Sequence, residues 1–108
     1  MQRQFEILDE IAQVAFLASK GEYDELILEV EVNAEEGWTD DTCRQTANGV
    51  TEQLSLFDID DPDLMELSFE LHKEMKRHTG GDLKKYTLKI DKDGKAGVTF
   101  EYRDQPPD

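Results

Sequence analysis

At 108 residues, with 37% apolar and 35% charged residues and a formal net charge of −14, the chain has the size of one domain and a composition bordering on that of disordered acidic chains. Such a charge argues against nucleic acid and anionic membranes as direct partners. The lone Cys43 excludes an internal disulfide, and neither a signal-like apolar stretch nor a bilayer-length apolar run is present, so the expected location is the cytoplasm.

Periodicity decides for a folded domain. Phe5, Leu8, Ile11, Ala12, Ala15 and Phe16 recur at helical spacing and predict a helix over 3–19, ended by Lys20-Gly21. Ile7, Val14 and Leu17 widen its apolar stripe. Leu26, Leu28, Val30 and Val32 alternate with Glu25, Ile27, Glu29 and Glu31, the pattern of a strand with one buried and one acidic face. Trp38 to Thr46 is a more polar strand. Asn48-Gly49 marks a tight turn, because both residues tolerate positive φ, and Val50, Leu54 and Leu56 carry the returning strand.

Asp61-Pro62-Asp63 predicts a helix start: Asp61 caps free amides, Pro62 needs no donor, and Asp63 suits the positive end of the dipole. Leu64, Leu67, Ser68, Leu71 and Met75 form its inner stripe. Lys73, Lys76, Arg77 and His78 suit its far end, and Gly80-Gly81 stops it. Tyr86, Leu88 and Ile90, a turn at Asp93-Gly94, then Val98, Phe100 and Tyr102 predict a second hairpin. The expected fold is α+β: one domain over 1–104 in the order helix, three-strand antiparallel meander, helix, β-hairpin, with helices packed on an antiparallel sheet and a loose tail at 105–108.

Catalytic and metal motifs are lacking. His72 and His78 are six residues apart and share no helical face, so capping or solvated roles are expected. Asp91-Lys92-Asp93-Gly94 lacks the later ligands of a calcium loop and reads as a turn. Cys43 lacks a neighbouring base and reads as an inert thiol. No cofactor, metal or catalytic residue is expected, and the chain reads as a binding protein rather than an enzyme.

The charge is confined. Residues 22–66 hold fifteen acids against one base, Arg44, whereas the segments on either side are nearly neutral. Glu35, Glu36, Asp40 and Asp41 flank Trp38, the only tryptophan, while Asp58 and Asp60 precede the second helix. An aromatic ringed by carboxylates suits an interface anchor for a partner rich in Arg and Lys; the alternative is that Trp38 closes the edge of the core. These seven residues are the candidate binding set. Glu25, Glu29 and Glu31 form an acidic ladder that costs stability unless something offsets it: a cationic partner, or a general need for solubility.

A helix leading to Tyr23 and an acidic strand, then an amphipathic helix, Tyr86-Thr87-Leu88, Gly94-Lys95 and Val98-Thr99-Phe100-Glu101-Tyr102, resembles the YezG-like immunity proteins. These are antitoxins that neutralise secreted polymorphic toxins, often nucleases. Tyr23 and Tyr86 stand where that family usually has Trp, and Ala96 where it has an aromatic. The resemblance implies a protein that holds a cognate basic toxin domain in a stoichiometric complex; the chain itself is expected to be a monomer or weak dimer. The resemblance transfers no interface residues, because the family's interfaces vary with the toxin. The alternative is an acidic secretion chaperone of the type III class that wraps an effector segment.

Overall fold

Alternation in the first strand sets the architecture. A computed structural model describes residues 2–103, and in it β1 (Glu25–Asn33) buries every second residue, with Leu26, Leu28, Val30 and Val32 all fully enclosed. β2 (Trp38–Ala47) and β3 (Val50–Leu54) flank it on one side; β4 (Asp82–Asp91) and β5 (Ala96–Arg103) flank it on the other. The sheet order is β3-β2-β1-β4-β5, and every pairing is antiparallel. Two helices, α1 (Gln2–Ala18) and α2 (Leu64–Thr79), supply the other layer of the core. The expected α+β arrangement is the one observed. The tail expected at 105–108, and residue 104, lie outside the described residues.

Side-chain alternation across the register decides which residues reach the helices. Leu28 stands opposite Cys43 and Leu88, and Val30 opposite Tyr86. The odd residues of β2 therefore share the helix-covered face with Cys43, and the even ones project from the bare face. Between β2 and α1, the buried Gln45 side chain accepts from the Lys20 N–H (2.8 Å) and donates to the Lys20 carbonyl (2.6 Å), fixing the end of α1 against the sheet.

α1 buries only part of the apolar stripe expected. Ile7, Ile11, Val14 and Ala15 enter the core, whereas Phe5 (60% exposed) and Phe16 (44%) stay outside. Both phenylalanines lie well round the helix from Ile7 and Ile11 at 100° per residue, so one helix cannot turn both sets inward. The β-branched and small set packs closest to the sheet.

α2 buries Leu64, Leu67, Ser68, Leu71 and Met75, as its spacing predicts. Gly80 ends it at φ 75°, donating its N–H to the Lys76 carbonyl. Its start differs. Asp63, not Asp61, is the cap, accepting from the Glu66 N–H at 3.2 Å, because the helix begins at Leu64 and the residue just before it is the one whose side chain reaches the N–H three places on. β3 also stops at Leu54, so Leu56 belongs to the loop that follows.

Candidate protein-binding site

The early end of β3 shapes the surface. Leu54 stands opposite Cys43, so the Trp38–Thr42 half of β2 has no strand on its outer side. The chain from Ser55 to Asp63 turns over the helix-covered face there. It leaves a cleft of about 370 Å³ whose walls include Asp41, Leu56, Phe57, Ile59, Asp63 and Met65. Phe57 is 89% exposed and Met65 is also open. Asp41 is an exposed residue, yet its carboxyl is partly enclosed by the cleft. This desolvation, reinforced by the neighbouring charge of Asp40, raises its pKa above the usual value.

A second, more polar cleft of about 440 Å³ shares Asp63 with the first. It gathers Glu10, Asp60, Asp61, Asp63, Glu66 and Glu70 around a single base, Arg3, which is paired with Glu70 and with Glu6 (3.2 Å). Glu10 from α1 and Glu66 and Glu70 from α2 thus join acids that sequence reasoning placed in the loop alone. The concentration of negative charge is a product of folding as well as of chain order.

The expected binding set is divided between two faces. Trp38 and Asp40 are on the bare face of β2 and Asp41 on the helix-covered face, because successive strand residues alternate. Trp38 therefore does not close the core edge. It is 39% exposed, and its Nε1 donates to Glu36 Oε1 at 3.0 Å. Glu36 also accepts from the Asn33 amide (3.0 Å), and its own N–H donates to Asn33 Oδ1 (2.9 Å), so it organises the β1–β2 turn rather than awaiting a partner. Glu35 is exposed beside it. Asp58 and Asp60 are exposed in the β3–α2 loop, and Asp60 borders the polar cleft.

The central member of the acidic ladder on β1 is offset from within. Glu29 accepts from Arg44 (2.7 Å) and lies 3.3 Å from the Lys85 ammonium. The Arg44 bond chiefly, with help from Lys85, holds the Glu29 carboxyl below its ordinary pKa. Sequence reading missed this because Lys85 arrives from β4, which pairs with β1 only in the folded sheet.

The remaining chemistry-bearing residues have structural roles. His72 Nε2 bonds Asp82 Oδ1 at 2.8 Å, joining α2 to the start of β4. Asp91 Oδ1 accepts from the N–H groups of Asp93 and Lys95, closing the β4–β5 turn. Cys43 is buried, and burial pushes its thiol up to about 11. Among the described residues no group of three or more His, Cys, Asp or Glu is arranged to hold a metal ion, and no helix is long and apolar enough to cross a membrane.

Phe57 and Met65 are the site residues that sequence reasoning passed over. Phe57, Asp58, Ile59 and Asp60 alternate apolar with acidic at the period of a strand, which gives no sign that Phe57 stands exposed in a loop. No protein-family model matches this chain, and no curated protein matches it.

Proposed function

We propose that this chain is an immunity protein: it binds and neutralises a cognate toxin domain, a cationic nuclease, in a stoichiometric complex in the cytoplasm. The observation that carries this reading is an exposed aromatic, Phe57, in the wall of a cleft that also holds Asp41 and Asp63 and that shares Asp63 with a second cleft rich in carboxylates. An apolar anchor within a negative field is what a basic protein surface requires of its inhibitor: the field raises the encounter rate, and the buried ring sets the residence time. Bound carboxylates would take the place of substrate phosphates or obstruct the nuclease cleft. The resemblance to the YezG-like immunity proteins points to the same class of partner. The secretion-chaperone reading gains no comparable observation.

The test is co-expression with the basic C-terminal domain of the large secreted protein expected to be encoded beside this chain. Growth arrest by that domain should be relieved by this chain, and the two should co-purify at one to one. Joint neutralisation of Asp58, Asp60 and Asp61 should slow association and flatten its dependence on salt, whereas Phe57→Ala should speed dissociation. The absence of such a neighbouring domain, or growth arrest that the chain does not relieve, refutes the reading.

A further inference from the structure

The hydrogen-bonding alternation of the sheet can be traced from its turns. The Asp91 N–H donates to the Lys95 carbonyl (2.9 Å), so the odd residues of β4 bond toward β5 and the even ones, through Tyr86, Leu88 and Ile90, toward β1. Leu26, Leu28 and Val30 of β1 then face β4, and Ile27, Glu29 and Glu31 face β2. Their partners Arg44, Thr42 and Asp40 use their backbone groups inward. Thr39, Asp41 and Cys43 therefore direct theirs outward. The Asn48-Gly49 turn gives the same answer independently. A two-residue loop closes on a bonded pair, here Ala47 and Val50, which again sends the odd residues of β2 toward β3.

Cys43 meets Leu54. Thr39 and Asp41 meet nothing: among the described residues no group pairs with their outward N–H and C=O. Two residues of strand edge are thus open at the seam between the two halves of the acidic surface. Asp41 and Phe57 lie on the helix-covered side of that seam, and Asp40 and Trp38 on the bare side. β5 has a free edge too, but its hairpin carries Lys85, Lys89, Lys92, Lys95 and Arg103, so charge favours the β2 edge for a cation.

We propose that the open edge of β2 at Thr39 and Asp41 receives an extended segment of the toxin with two adjacent basic residues, which pairs as an added strand. This deepens the immunity-protein reading and rests on it for the identity of the partner. Strand alternation makes the dibasic pattern specific. One basic side chain enters the cleft, its stem along Phe57 and its head at Asp41, while its neighbour points to the bare face beside Asp40.

The probe is a capped six-residue peptide, Val-Thr-Arg-Arg-Thr-Val, with two analogues N-methylated at alternate residues in opposite phase. Peptide at saturation should slow exchange of the Thr39 and Asp41 amides at least tenfold. One analogue, the one whose methyl groups face β2, should lose about tenfold in affinity, and the other should bind as the parent does. Thr39→Pro removes an outward N–H that the fold does not use, which an edge strand tolerates, so it should weaken binding about tenfold. Ala96→Pro on the β5 edge should not. If Thr39→Pro fails to fold, the two analogues carry the test alone.

Equal binding by both analogues, with Thr39 and Asp41 exchange unchanged, overturns strand addition and leaves the immunity reading standing on growth rescue. No binding at millimolar peptide also overturns it. Growth rescue that fails while the peptide behaves as described refutes the immunity reading and leaves the edge site in place.

Discussion

Among the described residues, Ser68 and Tyr86 form the one hydrogen bond between side chains fully enclosed in the core: both residues are inaccessible, and their oxygens lie 2.7 Å apart. The two partners differ in what they can do when the other is lost. In Ser68→Ala the phenol of Tyr86 is stranded beneath α2, and an unsatisfied buried hydroxyl costs about 1–3 kcal/mol. In Tyr86→Phe the Ser68 hydroxyl can rotate to the Leu64 carbonyl one turn back in its own helix, so its cost belongs near the lower figure. Removing both leaves no orphan, and the double variant should be more stable than Ser68→Ala alone. We expect about 2 kcal/mol for Ser68→Ala, which in a domain of this size lowers Tm by about 8–16 °C. For the pair we expect a coupling of about 2 kcal/mol, larger than the cost of Tyr86→Phe, as the recovery in the double variant requires. Urea unfolding of the four proteins, followed by circular dichroism at constant m, measures each term. Losses that simply add in the double variant, or a Tyr86→Phe that costs more than Ser68→Ala, would refute the reasoning.

Asp41 and Glu29 should respond to pH with opposite sign. The folded pKa of Asp41 is raised, so the folded state binds its proton more tightly than the unfolded chain does, and its charge penalises folding at neutral pH. Asp41→Asn should therefore raise Tm at pH 7, and this advantage should shrink as pH falls through the raised value. Glu29 has a depressed pKa, so its stabilisation is complete above its ordinary value of 4.5 and is lost as pH falls through the lower folded value. Glu29→Gln should cost stability at pH 7 and flatten that acid limb in thermal scans. Cys43 should react with a thiol reagent at pH 8 only at the rate of unfolding, since the folded thiol is both buried and protonated; rapid labelling of the native protein would contradict its placement.

What the amino-acid order discloses depends on the range over which each signal acts. Alternation in Leu26 to Val32, the Asn48-Gly49 turn and the inner stripe of α2 are local, and each stands where local chemistry puts it. The expected stripe of α1 is wider than the buried one because Phe5 and Phe16 are as apolar as Ile7 and Ile11, and only the sheet's shape selects between them. The two acidic clusters were legible as clusters. Their division across β2 follows from register, and the arrival of Glu10, Glu66 and Glu70 follows from helix packing, neither of which is a local property. Phe57 escaped attention because an exposed aromatic and a buried one look alike in a sequence.

Because β1 is central, its two neighbours are synthesised far apart in time: β2 follows at once, whereas β4 begins at Asp82. A chain still on the ribosome thus exists for a while as a three-strand fragment with one long side of β1 bare, the kind of edge that nucleates aggregates. That fragment carries nearly all of the protein's excess negative charge, and the lysines of β4 that offset part of it are not yet made. Mutual repulsion between nascent copies should then act as a gatekeeper until Lys85 and Lys89 arrive to settle against β1. The same carboxylates that would later attract a foreign cation first keep sister chains apart.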